Sequence, residues 1–225
     1  MGGLLVAIDG PAGSGKSSVA RAIARELGLA NLNTGATYRA VALVALREGV
    51  GLDNEAALTN ISEGVDLTPE GVLYRGEFIP ECALRTAEVS AASSKVSGYH
   101  KVREILVERQ RAAARRAQSS GGAVMEGRDI GTVVLPEADL KVFLSASPGE
   151  RARRRALQTG RTKEIERIHE AMQKRDRQDY EREASPLKAA PDAEVLDTTG
   201  ISFEAVVSRV ARLARGRQGA PEEAS

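Results

Sequence analysis

Short apolar runs alternate along this chain with longer stretches in which apolar residues return at helical spacing. Leu4–Ile8, Ala123–Glu126 and Leu140–Leu144 are runs of strand length with few polar interruptions, the pattern of strands buried on both faces of a parallel sheet. With helical stretches between them they predict an α/β fold with a central parallel sheet. A helix is expected from Ser17 to Leu27. Another is expected after the third run, where Ser147 can cap, Pro148 suits the first turn and Glu150 completes a capping box. A fourth strand is predicted at Glu194–Leu196, then a last helix with Phe203, Val206, Val207, Val210 and Leu213 facing inward. The alternation breaks between about Val65 and Pro80. There Val72–Tyr74 and Glu77–Ile79 read as two short strands around Arg75 and Gly76, a small β insertion. Gly216–Ser225 reads as a frayed tail, and the 225 residues are expected to form one domain.

Composition narrows the partners. Lys and Arg total 32 against 31 acids, so a net charge of +1 offers no global attraction to nucleic acid or to a membrane. Cys82 is the single cysteine, which excludes an internal disulfide and a multi-cysteine metal site and fits a reducing compartment; it reads as a small buried residue. No stretch approaches the roughly 20 apolar residues of a membrane span, no basic segment precedes the first apolar run, and Val6 breaks the myristoylation pattern begun by Gly2. The expectation is a cytoplasmic protein. Without a long apolar surface helix, a monomer is expected.

The chemistry begins directly after the first apolar run. Gly10, Pro11, Ala12, Gly13, Ser14, Gly15, Lys16 and Ser17 spell GxxxxGKS between a predicted strand and a predicted helix, with Ser18 next. Such a turn converges backbone N–H groups on a nucleotide phosphate. Lys16 can reach the β- and γ-phosphates of ATP, and the Ser17 hydroxyl can ligate Mg²⁺.

The second substrate is read from the cations. A hydroxyl acceptor often requires a positioned base, whereas a phosphate acceptor, with a second pKa of about 6, is largely deprotonated already. What it requires is positive charge to bring two anions together. The chain has only two histidines, His100 and His169, while Arg151–Arg182 is dense in arginine, including Arg151, Arg153, Arg154 and Arg155. Most such arginines belong to solvated helix faces. Arg175, Asp179 and Arg182 differ, because their spacing places them on one helix face. There Asp179 could accept from a ribose hydroxyl while Arg182 pairs with phosphate oxygens, although a simple helix salt bridge fits the same spacing.

These motifs together resemble bacterial cytidylate kinases, nucleoside monophosphate kinases of the P-loop class. The resemblance rests on Ile8–Ser18, Asn33–Arg39 (NTGATYR), Arg85–Val89 (RTAEV), Val102–Glu104, Gly127–Pro136 (GRDIGTVVLP) and Arg175–Asp179 (RDRQD). It implies a P-loop three-layer fold with a β-containing monophosphate-binding insertion and a short helical lid. The core would comprise about residues 1–64, 95–148 and 184–215, the insertion 65–94 and the lid 149–183. It implies ATP and CMP or dCMP as substrates, with Mg²⁺. Thr34, Tyr38, Arg39 and Arg85 would hold the acceptor, with Arg39 on its phosphate; Thr34 also reads as a helix cap. Ser94, Arg103 and Asp129 would read the base, because a carboxylate accepts from the amino group of cytosine and an arginine donates to its ring acceptors. Arg128 would be a second phosphate clamp. Lys16, Arg128 and Arg182 would serve catalysis. The lid would lie between about Arg151 and Lys163, and either Arg154 or Arg155 would touch the transferred phosphate. Asn33 and Glu126 replace the family's frequent aspartates, and Glu126 could hold a Mg²⁺-bound water.

Two other readings compete. Another small-molecule P-loop kinase would require the acceptor motifs to be coincidence. A nucleic-acid-dependent ATPase would use the arginines as a phosphate track, but aromatic residues are only 3% and Trp is absent, which leaves few platforms for stacked bases.

Overall fold

The computed structural model describes residues 2–218. Its first half runs through strand β1 (Leu4–Asp9), helix α1 (Lys16–Leu27), β2 (Ala30–Asn33), α2 (Gly35–Arg47), α3 (Glu55–Glu63), β3 (Val65–Thr68), β4 (Gly71–Tyr74) and β5 (Glu77–Ile79). Then follow α4 (Glu81–Leu84), α5 (Ala87–Val96), α6 (His100–Ser119), β6 (Gly122–Gly127), a single π-helical turn (Ile130–Val134) and β7 (Leu140–Ser145). The chain closes with α7 (Pro148–Gln158), α8 (Ile165–Glu181), β8 (Glu194–Asp197) and α9 (Phe203–Gln218).

The central sheet has the order β2-β6-β1-β7-β8, and every neighbouring pair is parallel. Along β1 the side chains alternate between two cores. Leu5 and Ala7 pack with Met125, Val41 and Leu106 on one face, while Leu4, Val6 and Ile8 pack with Ile23, Val142 and Val210 on the other. The expected three layers result, with α2 and α6 on one face and α1 and α9 on the other. Because the strands are parallel, their carboxyl ends open on one edge, where ligands of such sheets bind.

The insertion is a three-stranded antiparallel sheet, β3-β4-β5, one strand more than expected. Arg75 (φ 50) and Gly76 (φ 84) both adopt positive φ, as a tight two-residue hairpin demands. Val65, Leu67, Val72 and Ile79 attach the sheet to the core beside α2 and α6.

Several local expectations need correction. Phe203 is 46% exposed, because it opens α9 before the helix reaches the core at Val206 and Val210. Cys82 is exposed, since the short α4 turns Leu84 inward instead. The Ser147 hydroxyl does accept from the Glu150 N–H at 3.4 Å, but the capping box is not completed. The Glu150 carboxylate pairs with Arg153 and Arg154, which offer charged donors, and the Ser147 N–H donates to Thr199. Helix α9 extends through Gly216 to Gln218, and the remainder of the expected tail lies outside the described residues. Among the described residues no helix is long and apolar enough to cross a membrane.

Candidate active site

The phosphate loop turns at the carboxyl end of β1. At Gly10 (φ 147) a Cβ would sit 2.0 Å from the Leu144 carbonyl oxygen, so only glycine lets the loop pass β7. Lys16 is buried at the start of α1, and its ammonium donates to the Pro11 carbonyl at 2.6 Å. Burial, with the Arg128 guanidinium nearby, pushes the Lys16 ammonium well below its ordinary value. A phosphate would reverse that shift. Ser17 donates to the Glu126 carboxylate at 2.7 Å, which joins the loop to the end of β6.

In front of the loop lies a cleft of about 1120 Å³. The loop from Ala12 to Ser18 lines it. So do Ile201, Phe203 and Val206, with Arg153, Arg154 and Thr198, where Arg154 donates to the Thr198 hydroxyl. Arg39, Arg85, Arg128, Arg155 and Arg175 form a second lining group, close enough to act on one another's charge. Burial first, with Arg128 contributing, lowers Arg39 and Arg175 to about 10, so they remain cationic at neutral pH while repelling one another. The buried Nε of Arg175 has no hydrogen-bond partner. Burial, then Arg85 and Arg161, also lowers Arg155. Crowded cations of this kind form an anion site.

A second layer lies behind the arginines. Arg128 Nε donates to the Asp179 carboxylate at 2.9 Å. Burial alone would raise Asp179, but Arg128 and Arg175 hold it below the usual carboxylate range; burial acts against Arg128 too, and Asp179 leaves it raised. Arg103 and Asp129 form a buried ion pair, and the Arg103 guanidinium lies over the Tyr38 ring at 5.5 Å. Burial pushes the Tyr38 hydroxyl up to about 12. Arg182 approaches both Asp129 and Asp179 at 3.9 Å, and burial, with Arg103 nearby, lowers it. A smaller cavity of about 340 Å³ opens against Asp179 and Arg182, bounded by Ser94 and Gln178.

Of the residues read from the sequence, Arg39, Arg85, Ser94, Arg128 and Arg175 therefore line the cleft with the phosphate loop, whereas Thr34, Tyr38, Arg103 and Asp129 stand behind it. Three expectations change. Thr34 occupies the cap position of α2 without capping, because its hydroxyl donates to the Glu126 carbonyl at 2.8 Å. Arg182 lies just beyond α8 in extended backbone, not on the helix face of Arg175 and Asp179. Arg151 is not on a solvated face. It is buried, donating to the Ala12 carbonyl of the phosphate loop at 3.0 Å and pairing with Asp176 on α8. The sequence reading missed Ile201, Phe203 and Thr198 in the lining of the cleft, although a helix starting beyond the carboxyl end of a parallel strand was the available signal. It also missed Gln178, which accepts from the Ser94 hydroxyl at 3.0 Å across the two helices.

A strand, glycine-rich loop and helix at the carboxyl edge of a parallel sheet, facing a cationic cleft, define a P-loop nucleotide-binding protein. One solved structure, an uncharacterized protein from Eubacterium ventriosum ATCC 27560, shares the fold with a TM-score of 0.51 and 11% identity, over 95% of this chain and 98% of that one. The family model for cytidylate kinase matches residues 6–216. A cytidylate kinase of Pelotomaculum thermopropionicum is 48% identical over 95% of this chain and 97% of its own length. Another, from Desulfitobacterium hafniense (strain Y51), is 46% identical over 93% of this chain and 92% of its own. The chain belongs to the cytidylate kinase family.

Proposed function

We propose that this protein transfers the γ-phosphoryl group of ATP to CMP and dCMP, giving ADP and the cytidine diphosphate. The observation that carries this reading is the cluster of arginines that lines one cleft together with the phosphate loop. An oxygen of the acceptor phosphate attacks the γ-phosphorus in line, the bond to the β-phosphate bridging oxygen breaks, and ADP leaves. Lys16 and the loop N–H groups hold the donor. Arg39, Arg85, Arg128 and Arg175 hold the acceptor phosphate, and their mutual repulsion is relieved as charge spreads over the transferred group.

Arg154 is spent on Glu150 and Thr198, with donors at 2.8 Å to the carboxylate and the hydroxyl, so Arg155 is the arginine that approaches the transferred phosphate. Ile201 and Phe203 offer the adenine an apolar surface. Asp129 and Arg103, which pair with each other, would read the amino group and ring acceptors of cytosine. Uracil would set an oxygen against Asp129. Asp179 and Arg182 complete the ribose and phosphate contacts. Residues 65–94 form the monophosphate-binding insertion and 149–183 the lid.

Mg²⁺ fits the oxygens of Ser17 and Glu126, which already meet at 2.7 Å. So sparse a protein donor set suits an ion held largely by nucleotide phosphates and water. Once bound it neutralises part of the charge on the donor phosphates. The test is coupled ADP release with MgATP and CMP, dCMP, UMP, AMP or GMP in parallel. Stimulation by the cytidine nucleotides is expected, and equal stimulation by UMP would overturn the assignment of base reading to Asp129. No response to any monophosphate would overturn the acceptor.

A further inference from the structure

We infer that Asp9 is a positioning residue for the acceptor, its buried carboxylate fixing where Arg128 and Asp129 stand relative to the phosphate loop; this rests on the acceptor reading above. The Asp9 carboxylate oxygens accept from two consecutive backbone N–H groups, Ile130 at 2.8 Å and Gly131 at 2.7 Å. Those groups open the π-helical turn that follows Asp129, where N–H donors lack partners within the turn and a negative charge is favoured. Arg111 holds the opposite end, donating to the carbonyls of Val134 at 3.1 Å and Val133 at 2.9 Å.

Arg128 and Asp129 thus hang between two fixed points. Upstream, both the N–H and the hydroxyl of Thr34 donate to the Glu126 carbonyl, and at Gly127 a Cβ would lie 2.6 Å from Thr34 Oγ1 and from Ile130 Cδ1. Downstream, Asp9 pins the turn. Since Asp9 directly precedes Gly10, one short side chain ties the residues proposed to hold the acceptor to the loop proposed to hold the donor. Packing alone would not choose an acid here. Burial lifts the carboxylate to about 6, so its presence costs stability that its two N–H bonds only partly recover. An apolar residue would orphan two buried donors, and an asparagine would satisfy one while turning its own NH₂ toward the other.

The experiment compares the full-length protein with Asp9→Asn in steady-state kinetics, varying CMP, UMP and ATP separately. In the variant kcat/KM for CMP should fall about 10- to 100-fold, the scale of a misplaced reacting group. Preference for CMP over UMP should shrink, while KM for ATP shifts by less than about threefold. Parallel loss toward CMP and ATP would mean that Asp9 merely supports the phosphate loop, and unchanged CMP kinetics would overturn the proposal outright. Normal CMP turnover by the unaltered protein in the same assay separates this failure from failure of the acceptor reading. If the variant does not fold, amide exchange of the unaltered protein decides. Ile130 and Gly131 should exchange as slowly as core strands, and exchange at loop rates would overturn the anchoring.

Discussion

Arg151 joins parts of the structure that the chemistry needs in register. Its Nε donates to the Ala146 carbonyl at 3.0 Å and its Nη1 to the Ala12 carbonyl at 3.0 Å, and it pairs with Asp176, one residue from Arg175 on α8. Both side chains are nearly inaccessible, at 8% and 9% exposure. Arg151→Met keeps much of the stem volume but leaves Asp176 charged and buried, with Oδ1 already lacking a partner. Removing one member of a buried pair costs about 3–5 kcal/mol. For a chain of this length that is a fall in Tm of roughly 6–20 °C. Urea unfolding followed by circular dichroism measures it. The double variant Arg151→Met, Asp176→Leu removes both charges and should recover all but about 1–2 kcal/mol. Its KM for ATP should nevertheless stay raised, because the Ala12 carbonyl has still lost its donor. A single variant that costs less than about 1 kcal/mol would mean that the pair is effectively solvated. A double variant no more stable than the single would trace the loss to the packing of Ala152, Ala156, Ile168 and Met172 between α7 and α8 rather than to charge.

Lys16→Ala should lower kcat by at least about 100-fold, the scale for removing a preorganised charge, and unaltered turnover would refute the phosphate-loop role. Arg39→Ala should raise KM for CMP far more than KM for ATP; equal changes would place Arg39 outside the acceptor site. Asp129→Asn should erode the preference for CMP over UMP, read as the ratio of kcat/KM values. Stability should also depend on pH through Asp9. Asp9, facing Asp129 and Lys16, keeps its proton to about pH 6 in the folded protein, whereas an unfolded aspartate releases it near about 3.9. The folded state binds more protons across that window, so the Asp9 contribution to stability falls as pH rises from about 4 to 6 and is constant above. The unfolding free energy of Asp9→Asn minus that of the unaltered protein should therefore rise by about 3 kcal/mol over the window, and a flat difference would refute the buried titration.

What the sequence determined by itself was local or periodic. Buried parallel strands must be apolar throughout, so β1, β6 and β7 were visible as runs. A phosphate loop is built from its own backbone, so its residues are contiguous and its motif carries its meaning. The family resemblance worked for a similar reason, since each quoted motif is a short segment. What only the tertiary structure decided was which partners each charge meets. The spacing of Arg175, Asp179 and Arg182 suggested one helix face, but α8 ends before Arg182, and Asp179 is held by Arg128 from the end of a distant strand. Arg151 belonged to an arginine run that reads as solvated, yet it is buried because Ala12 and Asp176 converge on it from opposite directions. Asp9 had no role of its own in the sequence beyond its place in the Ile8–Ser18 motif, and its partners, Ile130 and Gly131, are backbone amides that no side-chain pattern can reveal. The physical reason is common to all three. A charge is satisfied through space, by groups far away in the chain, and their arrival at hydrogen-bond distance is set by sheet order and helix packing rather than by neighbouring residues.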